Sequence, residues 1–143
     1  MRTTLAAAII VALSASVVQA DPLFEGARMR MCNGSPNTPT KTCVVDGDTV
    51  WYRGSSYRLE SFDTPEPQTN ICGGRAEVEL ARRASARLLN LLNSNRWTLE
   101  DRGDDGGYGR RLGTIRINGR DVGDILIAEG LARRWPNGRE FWC

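Results

Sequence analysis

The chain contains no histidine. That absence removes imidazole general acid–base catalysis, the Ser-His-Asp triad and imidazole-ligated metal centres, so any chemistry must run on carboxylates, arginines and a hard cation. Lysine is almost missing too: Lys41 is the sole one among 19 basic residues. Arginine's planar fork suits phosphate, although genome base composition accounts for the bias equally well. No apolar run reaches the roughly 20 residues that a membrane-spanning helix needs. The strongest, residues 5–18, follows Arg2 and ends at Val18-Gln19-Ala20, the pattern of an export signal over residues 1–20. Internal repeats and low-complexity segments are absent, and so is the C-x-x-C spacing of a zinc site.

With 143 residues, the chain less those twenty is the size of one compact domain with one core. Arg2 is the only charge in the signal, so 18 basic residues face 17 acidic ones in the remainder. A global pull on nucleic acid is unsupported by that balance, and anion recognition has to be local. Cys32, Cys43, Cys72 and Cys143 form an even set, as in small exported proteins. Four cysteines allow three pairings. We expect Cys32–Cys43, closing a short Asn- and Pro-rich loop, and therefore Cys72–Cys143.

The pattern predicts a loose lead-in over residues 21–41, then a domain over 42–143. Residues 42–52 read as a strand, 53–56 as a turn, 57–62 as a returning strand, and Pro65 and Pro67 end the hairpin. Ala76, Leu80, Ala84, Leu88 and Leu91 or Leu92 define the apolar face of a helix over 75–93, with Glu77, Arg82, Arg83 and Arg87 off that face. Residues 97–99 read as a strand, 100–109 as a mobile acidic loop, and 111–118 as a strand turning at Asn118-Gly119. A second helix is expected over 122–129, with Gly130 at its left-handed C-cap. Short strands and two helices suggest a mainly β, α+β fold: a small barrel with helices at its side.

Asp46-Gly47-Asp48-Thr49, Arg58 and Asp63-Thr64-Pro65-Glu66 gather four carboxylates and one guanidinium within twenty-one residues. Oxygen ligands suit calcium, and a guanidinium suits phosphate. Each half alone is also an ordinary turn or helix start. A two-residue hairpin turn would put Asp48 and Asp63 on one face and Arg58 on the other, whereas a bulge would reverse that.

Val44-Val45-Asp46-Gly47-Asp48-Thr49-Val50, Tyr57-Arg58-Leu59, Asp63-Thr64-Pro65-Glu66, Tyr108-Gly109-Arg110 and Glu129-Gly130-Leu131-Ala132 follow one another in an order that resembles the thermonuclease (staphylococcal nuclease) family. The resemblance implies a five-stranded OB-type barrel with flanking helices and calcium-dependent (Ca2+) cleavage of DNA and/or RNA. It places Asp48 and Asp63 on the metal through carboxylates and Thr64 through its backbone carbonyl. Arg58 and Arg110 would contact the scissile phosphate, Glu66 would handle the attacking water, and Tyr108 would meet substrate. Asp46 is either an outer metal group or a turn cap, and Arg111 is as basic a candidate as Arg110.

The expectation is an exported monomer, periplasmic or secreted and without membrane contact once the signal is removed. A non-catalytic OB-type nucleic-acid-binding module is the rival, but a degenerate member would be expected to lack one of Asp48, Asp63, Glu66, Arg58 or Arg110. A third possibility is a structural domain presenting the acidic loop to a partner. The chain departs from the family pattern in its cysteines, in Gly107 where a basic residue is common, and after Ala132, where the Cys72–Cys143 bridge is expected to pin the tail in place of a long helix.

Overall fold

The computed structural model describes residues 28–68, 72–104 and 106–143. The expected signal and the first part of the lead-in lie outside the described residues. In chain order the elements are β1 (Cys43–Val44), β2 (Thr49–Tyr52), β3 (Ser55–Leu59), β4 (Phe62–Asp63), α1 (Gly74–Ser94), β5 (Trp97–Gly103), β6 (Arg111–Ile117), β7 (Arg120–Asp121), α2 (Val122–Ala128) and β8 (Arg133–Arg134). The fold is α+β.

The expected strand over 42–52 is broken in two. Asp46, Gly47 and Asp48 are turn formers, and the Thr49 carbonyl accepts from the Val45 amide at 2.9 Å, so β1 folds back antiparallel on β2. The next turn is tighter than expected. Tyr52 pairs with Ser55, leaving Arg53 and Gly54 at φ 46° and 79°, the left-handed pair of a two-residue hairpin whose twist matches its strands. β3 then runs parallel to β6, and β6 pairs antiparallel with β5, giving the order β1-β2-β3-β6-β5 with β7 on β6.

That path does not close into the expected five-stranded barrel. The outer edge of β1 is already taken by the lead-in: the Val44 amide donates to the Arg30 carbonyl at 2.9 Å, and the Cys32 amide to the Val44 carbonyl at 2.8 Å. Residues 28–32 are thus part of the body. Met29 is buried, and its backbone exchanges two hydrogen bonds with the Asn93 side chain near the end of α1.

The stretch expected as an acidic loop is strand as far as Gly103. Glu100 and Asp101 can stay in the ladder because arginines of β6 neutralise them across it, Arg116 to Glu100 at 2.9 Å and Arg111 to Asp101 at 2.7 Å. Both helices form within one residue of expectation, and Gly130 takes φ 70° after α2. The buried face of α1 is turned from the expected one: Val78, Ala81, Ala84, Leu88, Leu91 and Leu92 face inward, while Ala76 is exposed. Glu77, expected on the solvent side, is 1% exposed. From α1, Leu88, Leu91 and Leu92 join Val44, Val50, Leu59, Phe62, Ile115, Val122 and Leu126 in one apolar core. Burying such side chains is worth about 1.5–3 kcal/mol each.

Both expected disulfides are present, Cys32–Cys43 and Cys72–Cys143. The second holds the end of the chain against the start of α1. A Cβ at Gly73 would lie 2.1 Å from the Trp142 carbonyl oxygen, so only glycine allows that approach.

Candidate functional site

The Asp-Gly-Asp turn packs directly on the exit of the β3–β4 segment. A Cβ at Gly47 would stand 2.8 Å from the Thr64 side chain, so this glycine permits a close approach, which turn propensity alone does not explain. Asp46 caps the turn, its Oδ1 accepting from the Asp48 amide at 3.3 Å. Asp48 is 5% exposed, and its carboxylate accepts from the Thr49 hydroxyl at 3.0 Å and the Thr64 amide at 3.4 Å. Gly47→Ala is expected to push Thr64 aside and cost about 1–3 kcal/mol, read as a lower urea midpoint with unchanged m.

Arg58 does not point away from the carboxylates as the simple pleat would have it. Its Nη2 lies 3.1 Å from Asp63 Oδ1 and 3.5 Å from Asp48 Oδ2. The alternation fails at two places: Asp48 sits in the turn before β2, and Ser61, at φ 73°, resets the facing between β3 and β4. One guanidinium therefore bridges both expected metal-ligand carboxylates.

Asp63 has a second arginine that motif reading missed. β4 pairs with β8 so that Asp63 stands opposite Arg133, whose Nε and Nη2 both lie 2.9 Å from Asp63 Oδ2. Seventy residues separate the two, and no local pattern in the sequence connects them.

Asp46, Asp48, Asp63 and Glu66 thus share a small region with Arg58 and Arg133. Burial, reinforced by the charges of Asp46 and Asp63, pushes the Asp48 carboxyl up to about 7 even though Arg58 and the Thr49 hydroxyl pull it down. Partial desolvation, with Asp46 and Asp63, also raises Glu66. Because the folded value of Asp48 exceeds its unfolded one, the stability it contributes is present below about pH 4 and is lost as pH rises through 7. Asp48→Asn, which mimics the protonated acid, is accordingly expected to be more stable than wild type at pH 8 in chelator, by an amount on the order of 2–4 kcal/mol. The difference should shrink by pH 5. Denaturant melts at the two pH values measure it.

Four carboxylates, Asp46, Asp48, Asp63 and Glu66, whose charge the two arginines Arg58 and Arg133 only half offset, are a donor set suited to a hard divalent cation. Among the described residues, the group of three side-chain ligand atoms lying within 4.8 Å of one another is Cys72, Glu77 and Cys143, whose sulfurs are bonded to each other; the Asp48 and Asp63 pair is not part of such a trio. A third ligand at that pair would come from backbone, as the Thr64 carbonyl would provide.

Arg58 and Arg110 line the same open cleft of about 550 Å³, together with Tyr108, Leu112 and Trp135. Arg110 is held by its Nε, which donates to the Gly106 and Gly107 carbonyls, and its guanidinium lies 5.4 Å from the Tyr108 ring, which is fully exposed. Arg111 is occupied elsewhere, paired with Asp101 and Asp104. The structure thereby separates two neighbours that composition left equal. Trp142 is buried, whereas Trp135 is half exposed at the cleft. Glu66 is exposed, and its amide donates to the buried Glu77 at 3.0 Å, so a carboxylate beneath the site fixes the backbone that carries it.

A family model described as staphylococcal nuclease homologue matches residues 56–140, more than half of the chain. The chain belongs to the staphylococcal nuclease family. Arg58, Asp63, Thr64, Glu66, Arg110 and Arg133 fall inside the matched stretch, and Asp48 just before it. Similar relatives include the SPbeta prophage-derived endonuclease YokF of Bacillus subtilis (strain 168), 40% identical over 97 residues that cover 63% of this chain and 31% of the relative. Endonuclease YncB of the same strain is 38% identical over 97 residues, covering 63% and 44%. The succinoglycan biosynthesis protein ExoI of Rhizobium meliloti (strain 1021) is 33% identical over 92 residues, covering 62% and 48%. The matches span less than half the length of these curated relatives of the staphylococcal nuclease domain.

Proposed function

We propose that this protein is an exported, calcium-dependent nuclease that hydrolyses phosphodiester bonds in DNA and/or RNA. The observation that carries the reading is the Arg58 guanidinium, which touches Asp48 and Asp63 while lining the cleft that Arg110 also lines. Membership of the staphylococcal nuclease family and two relatives named as endonucleases support the same class. In this reading the β1–β3 meander and its parallel β6 partner are part of an OB-type barrel of the family's kind.

In this reading Asp48, Asp63 and the Thr64 carbonyl hold calcium, which supplies charge neutralisation at a phosphoryl oxygen when bound. Arg58 and Arg110 grip the phosphate oxygens, and their forks tighten as negative charge spreads over the equatorial positions. Glu66, exposed at the edge and anchored through its amide, orients water or takes its proton. Tyr108, fully exposed beside Arg110, presents a face for a base or sugar. Two disulfides support an oxidising compartment, and no helix among the described residues is long and apolar enough to cross a membrane.

The test is degradation of single-stranded DNA by the oxidised protein, with calcium and with a chelator. Cleavage that requires calcium is the expected result; no cleavage with calcium present would sink the proposal.

A further inference from the structure

Asp63 is gripped from two sides by arginines of different character. Arg58 takes Oδ1 and lines the cleft, its side chain 27% exposed. Arg133 takes Oδ2 through Nε and Nη2, is 14% exposed, and is not among the residues lining the cleft. Its third nitrogen, Nη1, donates to the Gly138 carbonyl at 3.1 Å, and its guanidinium carbon lies 5.1 Å from the Trp135 ring and 5.7 Å from that of Trp142. All three nitrogens are engaged and two aromatic rings confine the group, so this fork has little freedom to follow a ligand.

Resting on the reading of Asp63 as a cation ligand, we infer that Arg133 is a positioning residue: it fixes the Asp63 carboxylate through Oδ2, so that Oδ1 is presented to the side where Asp48 and Arg58 converge. Arg58 remains the cleft-facing partner and Arg133 the fixed one. Carboxylates that ligate metals are commonly oriented by such outer hydrogen bonds, and losing one costs about 10–100-fold in metal affinity or activity.

The rival role is a purely structural ion pair closing β8 onto β4. The two roles predict opposite signs for cation affinity. Deleting a positive charge 2.9 Å from a carboxylate would by Coulomb's law alone tighten calcium binding, whereas deleting its orientation loosens it. The experiment compares wild type, Arg133→Met and Arg133→Lys as oxidised full-length protein. It measures calcium binding by titration calorimetry in the absence of nucleic acid, together with kcat and KM on a single-stranded oligonucleotide.

Arg133→Met is expected to weaken calcium binding and lower kcat, each by about 10–100-fold, with KM for the oligonucleotide nearly unchanged. Arg133→Lys keeps the charge without the fork and should fall between the two. Calcium binding as tight as wild type or tighter in Arg133→Met, with only thermal stability reduced, would overturn the inference. If that variant does not fold, wild-type calcium affinity in Arg133→Lys overturns it instead. Wild-type protein that neither binds calcium nor cleaves overturns the proposed function and this inference with it. Wild-type protein that does both, beside variants that match it, overturns the inference alone.

Discussion

Arg58→Ala is expected to lower kcat by roughly 10²–10³ at saturating calcium, the usual cost of removing one preorganised donor from a developing anion. A second effect should accompany it. Arg58 Nη2 is within 3.5 Å of both Asp48 and Asp63, so its loss leaves two carboxylates with less compensation, and the calcium-free protein should melt at lower temperature. Calcium should then raise the melting temperature of the variant by more than it raises that of wild type. Arg110→Ala should show the loss of turnover without the change in calcium-free stability, because among the described residues its side chain bonds to the Gly106 and Gly107 carbonyls and lies against Tyr108, away from the Asp48 and Asp63 carboxylates. Arg111→Ala, whose partners are Asp101 and Asp104, should leave turnover within a few-fold of wild type. Full turnover by Arg58→Ala with calcium present would remove the phosphate contact from the mechanism.

Breaking the Cys72–Cys143 bridge is the second large expectation. The two residues are 71 apart, so the chain-entropy model assigns about 4 kcal/mol to the crosslink, against about 3 kcal/mol for Cys32–Cys43 with its separation of 11. For a domain of this size, the larger figure corresponds to roughly 10–20 °C in Tm. Activity should suffer as well, because the bridge lies beside Gly73, whose amide donates to the same Glu77 carboxylate that receives the Glu66 amide. A Cys72→Ser, Cys143→Ser variant should therefore lose Tm and, at temperatures where it remains folded, part of kcat. Coincident melts of this variant and wild type would show that the bridge adds nothing to stability.

Much of this was legible in the sequence, for identifiable reasons. The helices announced themselves through period and through Gly130, and the disulfides through even count and spacing. Asp48, Asp63 and Arg58 do converge, but alternation along the hairpin left the facing of Arg58 open, because it turns on Asp48 and Ser61, where the backbone leaves the pleat. Arg133 and Glu77 were illegible for another reason. Arg133 reaches Asp63 only through a two-residue ladder between distant segments. Glu77 is buried because the amide of Gly73, the N-cap of α1, and that of Glu66, from the segment after β4, converge on it, and the second of these no pattern of neighbours along α1 can reveal.

The parallel pairing of β3 with β6 sets an order on how the site comes into being. Arg58 meets Leu112 across that ladder, and Asp63 meets Arg133 across another, so groups from both halves of the chain must find each other. Contacts of such long sequence separation form late in folding, after the entropy of closing large loops has been overcome. A chain still emerging from a ribosome with only its first hairpin formed has Asp48, Arg58 and Asp63 but neither Arg110 nor Arg133. Under the proposed function, the topology itself delays competence until the segments that carry Arg110 and Arg133 have been made and have docked.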